Sequence, residues 1–331
     1  MPRDSILKKH PELSTGIVTL VDVGASGGID KRWKILGQNI KVIGFEPDRR
    51  EFEKLTMDDH FIWFNSALYS DNDNHELFIT KWQTNTSFLR PNVKIIHDLY
   101  IEDSNFDILK TVSVPCEKLD DLVVRKDLSI DVLKLDTQGT ELYILQGAEK
   151  NLENNLFAVE SEVEFVELYE GQPLFADIDR FLRAKGYILM DYGNMTFLKG
   201  RHSLGLGGPK GFLVAADALY FKSIDQINGI LKENDKSKFV SIIMICLAYG
   251  YSDYAIEICV AAKRLNLFQK EWLDDFINRL EKVGHYAQFI PNFLGKKKIA
   301  MALRAVASLL SKTDDASKIN SLGNQVELYR W

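Results

Sequence analysis

Residues 17–28 read IVTLVDVGASGG, a β-branched apolar run that stops at an acid and a crowd of glycines. Such a run predicts a buried strand, and the glycines after it predict a tight turn into a helix. The arrangement recurs along the first two thirds of the chain. Strands are expected at Ile17–Val23, Ile40–Phe45, Phe61–Asn65, Glu76–Thr80, Val112–Pro115, Asp131–Leu135, Phe157–Glu162, Tyr187–Asp191 and Phe212–Phe221. Helices are expected from Pro47–Asp48, over Leu119–Val124, over Thr140–Ala148 and over Phe175–Lys185. Strands alternating with helices predict an α/β fold, a mostly parallel Rossmann-like sheet with helices on both faces. Lys81–Asn105 reads as a long loop with short helical pieces, a length that usually carries function.

After Ser223 the strand signals stop. Lys236–Tyr249, Asp253–Leu265, Gln269–Val283 and Lys296–Lys312 all show helical apolar spacing, with Gly250 and Gly284 as stops. Charge changes at the same place. The net charge of −6 divides into −9 for residues 1–224 and +3 for residues 225–331. Two domains are therefore expected: an α/β domain over 1–224, and an all-helical C-terminal region over 225–331 whose role the sequence does not state.

The acidic balance of the first part argues against a nucleic-acid partner, which needs a basic face. The longest apolar run, Phe239–Tyr249, is far short of the ~20 residues that span a bilayer, so no transmembrane segment is expected. The N-terminus has no apolar core of a secretion signal. The three cysteines, Cys116, Cys246 and Cys259, have neither disulfide nor metal-ligand spacing. A cytoplasmic protein is expected.

The glycine turn is the first ligand signal. Gly24, Gly27 and Gly28 let a ligand approach the backbone, and the helix after them offers free N–H groups. GFEPD then places Glu46 at the tip of the second strand, 22 positions after Gly24. There a nucleotide-binding sheet presents an acid to ribose hydroxyls. The spacing G-x-x-G-G is not the dinucleotide pattern, and Asp22 would repel a pyrophosphate while orienting an amino-acid-bearing nucleoside. That favours S-adenosylmethionine over NAD.

The second signal is DVLKLDTQGTELYILQGA, residues 131–148. Asp136 falls at the carboxyl end of a central strand, where open α/β sheets carry their ligand crevice. Lys134, two positions earlier, is unusual in such a strand and needs an ionic partner. Glu160, Glu162 and Glu164 alternate and so share a strand face. They are candidates to contact acceptor hydroxyls or hold a divalent cation, with emergence of the strand into solvent by Glu162 as the alternative.

These motifs together resemble the FkbM family of S-adenosylmethionine-dependent O-methyltransferases. VDVGASGG, GFEPD, NSALYS (65–70), TSFLRPN (86–92), VPCEKLDDL (114–122), KLDTQGTELYILQGA and VESEVEFVELYEGQPLFADIDRFLRAKGY (159–187) follow the family's order over roughly residues 17–222. Gln138 departs from it, standing where an acid is common. The resemblance implies a class I methyltransferase sheet with a terminal antiparallel strand. It implies methylation of a hydroxyl, often on a sugar, glycan or related metabolite. By position it puts Asp22, Gly24, Ser26 and Gly28 around the methionine part of the cofactor, Glu46 on the ribose, and Asn65, Ser66 and Ala67 near the adenine.

Oxygen methylation needs an aligned hydroxyl and an acceptor for its proton. Asp136 is the first candidate, with Glu162 and Lys134 beside it; whether a metal takes part is open. His97 and His202 lie in loops, and Trp82, Phe88 and Tyr100 could stack on a sugar. GKKKIAMALR (295–304) offers a lysine cluster to an anionic carrier or a membrane surface, and an oligomer is compatible with the chain. Two rival readings stand beside this one: an NAD-dependent oxidoreductase or epimerase, and a non-catalytic scaffold whose tail binds a partner.

Overall fold

β-branched and aromatic runs build the strands β1 (Val18–Val23), β2 (Ile40–Phe45), β3 (Phe61–Phe64), β4 (Ala67–Leu68), β5 (Asn74–Thr80), β6 (Ile108–Glu117), β7 (Val132–Leu135), β8 (Ala158–Glu164), β9 (Tyr187–Leu198) and β10 (Phe212–Lys222). The helices are α1 (Arg49–Phe52), α2 (Val93–Leu99), α3 (Leu119–Lys126), α4 (Glu141–Gln146), α5 (Glu149–Asn154), α6 (Phe175–Ala184), α7 (Ile227–Ile230), α8 (Lys236–Tyr249), α9 (Ser252–Arg264) and α10 (Lys270–His285). The structure, a computed structural model, describes residues 16–24, 29–55, 60–99, 103–198, 211–231 and 235–285.

Seven strands form one sheet in the order β3-β2-β1-β7-β8-β10-β9. All run parallel except β10, which is antiparallel to both β8 and β9. The chain starts in the middle, moves outward to β3 and returns to the other side of β1 at β7. That reversal opens a crevice at the carboxyl ends of β1 and β7. A small second sheet, β4-β6-β5, stands beside it.

Alternation along the strands sends Val21, Val23, Leu133, Leu135, Val159 and Val163 to one face, where they meet apolar residues of α3, α4, α5 and α6. Val18, Leu20, Val132, Ala158, Leu219 and Phe221 go to the other face and share a core with α8, α9 and α10. α8 is apolar all round because it lies between the sheet and the other two helices. It is also pinned by polar contacts. Lys238 Nζ meets Asp131 Oδ1 at 2.5 Å, and Ser241 Oγ donates to the Ile17 carbonyl at 3.0 Å. The helices after residue 225 thus form the third layer of the α/β core.

Several elements depart from the sequence reading. The helix expected over Thr140–Ala148 is α4, Glu141–Gln146, and a second short helix, α5, follows it from Glu149. Between them Gly147 meets the Tyr69 carbonyl so closely that a Cβ would lie 2.1 Å from that oxygen. β9 runs on to Leu198, seven residues past the expected Asp191, because β10 pairs along it. β8 does not run out into solvent at Glu162: that residue is half-buried, and Val163 and Glu164 after it are buried. The expected helix Lys296–Lys312 and the lysine cluster lie outside the described residues.

Candidate functional site

The sheet's hydrogen bonding runs past the strand ends and fixes the crevice. Gly24 N–H donates to the Phe45 carbonyl at 3.0 Å, and Asp136 N–H to the Val23 carbonyl at 3.0 Å. Gly24 has φ of +81°, and a Cβ on it would sit 1.9 Å from the Asp136 carbonyl oxygen. Both the left-handed backbone and the close approach require glycine there.

Above these ends lies a cavity of about 430 Å3, on the scale of small-molecule sites. Gly24, Glu46, Ala67, Leu68 and Ile144 line one part of it; Ser87, Asp136, Gln138, Glu162 and Glu164 line another. Glu46 is almost wholly buried. Its Oε1 accepts from the Asp48 N–H at 2.8 Å, and Asn65 Nδ2 donates to its carbonyl at 2.8 Å. Burial, partly offset by the Asp48 N–H, pushes the Glu46 carboxyl up to about 7.

Asp22 and Lys134 sit two residues back from Gly24 and Asp136 and do not line the cavity. They form the ion pair that a lysine in a central strand requires. Lys134 Nζ lies 3.2 Å from Asp22 Oδ1 and 3.9 Å from Asp136 Oδ2. Burial would lower the lysine, but the carboxylates of Asp22, Asp136 and Glu160 outweigh it and hold the ammonium above its ordinary value. Burial raises Asp22 against the pull of Lys134.

The other end of the cavity is a carboxyl group cluster organised by one amide. Gln138 Nε2 donates to Asp136 Oδ1 at 3.1 Å and to Glu162 Oε2 at 2.6 Å. Its Oε1 lies 3.1 Å from the Tyr169 hydroxyl, which donates to it. Only this orientation of the amide satisfies all three partners. Asp136 is the open member, with 44% of its side chain exposed. Burial, then the charges of Asp136, Glu164, Glu141 and Asp217, push Glu162 well above the carboxylate range. Burial does the same to Glu164. Glu141 is raised to about 7, and its carboxylate accepts from Thr137 and Gly139 N–H in the turn after β7.

Of the residues expected at the site, Gly24, Glu46, Ala67, Asp136 and Glu162 come together around the cavity. Asn65 and Ser66 do not line it, and Asn65 uses its amide on the backbone of Glu46 and Pro47. Ser26 and Gly28 lie outside the described residues, as do Tyr100 and His202. Glu160 is turned away to Tyr249 and Arg32. His97 pairs with Asp103 on the surface. Phe88 lines the cavity, and Trp82 is exposed beside it. Among the described residues no group of three or more His, Cys, Asp or Glu is placed to hold a metal ion.

Sequence reading missed Asp217, which pairs in register with Glu162 and is raised to about 7 by burial and then by Glu160. Its signal was available: an acid inside the apolar strand FLVAADALYF is as anomalous as Lys134. Glu141 was missed because an acid in a helix's first turn is ordinary.

The methyltransferase FkbM domain model matches residues 22–189. No curated protein sequence matches the chain. Among solved structures, it is similar to magnesium protoporphyrin IX methyltransferase from Synechocystis PCC 6803 with bound SAM, at 10% identity and TM-score 0.32, covering 67% of this chain and 78% of that one. It is also similar to a TehB-like SAM-dependent methyltransferase from Corynebacterium glutamicum, at 12% identity and TM-score 0.29, over 67% and 95% of the two chains. A precorrin-6y C5,15-methyltransferase from Geobacter metallireducens is similar at 12% identity and TM-score 0.28, over 65% and 87%. The chain belongs to the FkbM methyltransferase family, whose methyl donor is S-adenosylmethionine.

Proposed function

We propose that the protein transfers the methyl group of S-adenosylmethionine to a hydroxyl oxygen of a sugar, glycan or related metabolite. The observation that carries this reading is Asp136, a solvent-reaching carboxylate at the end of a central strand, fixed by Gln138 and set beside Glu162 on the cavity wall. A hydroxyl must lose a proton as it is methylated, and Asp136 is the group placed to take it.

The residues fit the donor. Glu46 commits Oε1 to the Asp48 N–H, which leaves Oε2 to accept from ribose hydroxyls. Ala67, Leu68 and Ile144 supply an apolar wall for the adenine. Asp22, held by Lys134, braces the end of β1 behind Gly24, which lines the cavity. When bound, S-adenosylmethionine supplies an electrophilic methyl on a positive sulfonium. The Asp136 carboxylate on the cavity wall favours that cation over the neutral product. Asp136 would take the proton that the acceptor hydroxyl gives up as its oxygen receives the methyl group.

The three cysteines are reduced and buried, in keeping with a cytoplasmic site of action. No described helix is long and apolar enough to cross a membrane. The test uses methyl-labelled S-adenosylmethionine with a panel of saccharides and glycosylated metabolites. The expected product carries the label in an alkali-stable ether. Label in an alkali-labile ester or on nitrogen, or NAD binding in place of S-adenosylmethionine, overturns the proposal.

A further inference from the structure

The residue row that anchors the cofactor end of the site does not stop at Asp22 and Lys134. Asp22, Lys134 and Glu160 are register partners on three adjacent strands, β1, β7 and β8. They therefore stand side by side on one face of the sheet. The lysine is the one cation of that row, and Glu160 lies close enough to contribute to holding it charged. Glu160 is nonetheless drawn elsewhere. Its Oε2 accepts from the Tyr249 hydroxyl at 2.5 Å and lies 3.6 Å from Arg32 Nη1.

Tyr249 is the last residue of α8, well beyond the residues matched by the family model. It is fully buried, and its place is over-determined. Its ring packs edge-on against Trp33 at 5.4 Å, and the Arg32 guanidinium lies over it at 5.0 Å. At the other end of α8, Lys238 is bound to Asp131. The helix is thus fastened at both ends to the sheet, and its carboxyl end delivers one hydroxyl to one carboxylate. A structural anchor alone has no need of a phenol aimed at a buried acid next to the lysine of the cofactor row.

We propose that Tyr249 is a positioning residue for S-adenosylmethionine binding: it restrains Glu160 and so reserves Lys134 for Asp22 and Asp136. The helical segment after the sheet is then a working part of the methyltransferase. Without the hydroxyl, Glu160 Oε2 keeps only Arg32, at a distance longer than a hydrogen bond. A buried carboxylate left so poorly partnered turns to the other cation within reach, Lys134. Asp22 loses its share of the ammonium, and the end of β1 that carries Gly24 to the cavity loses the ion pair that steadies it.

This inference rests on the proposed use of S-adenosylmethionine. The test is isothermal titration of the full chain with S-adenosylmethionine, on wild type, Tyr249→Phe, and Tyr249→Phe combined with Glu160→Gln. Phenylalanine keeps the ring against Trp33 and Arg32, so the variant should fold with a modest loss of Tm. The expected Kd is about tenfold weaker for Tyr249→Phe. It should return to within about threefold of wild type in the double variant, because a neutral amide in place of the Glu160 carboxylate does not compete for the lysine. A merely structural tyrosine predicts the reverse, with the second substitution adding damage. Wild-type affinity in Tyr249→Phe, or no recovery in the double variant, overturns the inference and leaves the cofactor reading intact. Absence of binding by wild type overturns both.

Discussion

Gln138 donates to Glu162 Oε2 at 2.6 Å from a backbone held at φ of +58°. A non-glycine residue in that region carries strain, and here the strain aims a neutral donor between two acids. Glu162 alone would face Asp136, Glu164, Glu141 and Asp217, the charges that already raise it. The amide is the group in that cluster that donates to Asp136 and Glu162 together.

Gln138→Glu should therefore destabilise the free protein, and more so at high pH. It exchanges a donor for a further carboxyl group and leaves Glu162 without its hydrogen bond, a loss of about 1–3 kcal/mol. Protonation of the new acid restores a donor, so the deficit should shrink below about pH 6. Urea unfolding at two pH values measures this. A deficit of equal size at both would count against the charge explanation.

Glu46 gives the site a pH response of its own. With its carboxyl raised to about 7, it is largely protonated in mildly acidic solution. Ribose hydroxyls need the ionised form as acceptor, so affinity for S-adenosylmethionine should fall as pH drops below about 7, approaching tenfold per unit. Glu46→Gln should weaken binding at pH 8 and flatten this dependence. Titration calorimetry across the range decides it, and a slope that survives in the variant would point to another group.

The free protein should respond to pH in the opposite sense. Glu46, Glu141 and Asp217 are each raised to about 7, burial being the first cause. Unfolded carboxyls titrate near about 4, so between these values the native state binds more protons than the unfolded one. That stability is complete below about pH 4 and is lost as pH rises through about 7. Lys222, lowered by burial to about 8, acts the other way only above that pH. Scanning calorimetry of the ligand-free chain should show a higher Tm at about pH 6 than at about pH 8. A Tm that climbs over that interval would contradict the assignment.

The parts of this site that could be read in the sequence are those where one residue violates its local pattern. Lys134 in an apolar strand announced an ion pair, and Asp136 and Glu46 stood at strand tips where ligands bind. β2 and α8 have the bounds the sequence suggested because polar residues or glycine close each run. What could not be read depends on distant neighbours. β9 reaches Leu198 because β10 lies alongside, a pairing that residues 187–191 alone do not announce. Asn65 matched a motif near the adenine, yet its amide is used to brace the Glu46 loop. The covering of one sheet face by α8 also went unread, since a chain that changes composition near residue 224 looks like two domains.

The join between sheet and α8 can be tested at its lower end. Asp131 accepts from Lys238 at 2.5 Å and from the Thr19 N–H at 2.8 Å, with both charged side chains buried. Asp131→Ala leaves a buried ammonium with the Ile130 carbonyl alone, at a cost of about 3–5 kcal/mol. For a chain of this size that should lower Tm by roughly 10 °C. Adding Lys238→Met removes the stranded charge, so the double variant should be more stable than Asp131→Ala. If the two losses simply add, the pair is not what holds α8 to the sheet.

Asp136→Asn separates chemistry from binding. The amide keeps the shape of the side chain and can still meet Gln138 after a rotation, but it cannot take a proton. The contacts proposed for the cofactor at Glu46, Ala67 and Gly24 are untouched, so affinity for S-adenosylmethionine should change by less than about threefold. Methyl transfer should fall by about 100- to 10,000-fold, the range over which a positioned base acts. Lys134→Met provides the contrast. It strands Asp22 as well as removing a partner of Asp136, so both binding and turnover should suffer. Single-turnover transfer of labelled methyl, measured beside calorimetry for each variant, distinguishes the two. Should Asp136→Asn retain wild-type turnover, Glu162 becomes the base, and its raised carboxyl would place its working range at higher pH than that of an ordinary acid.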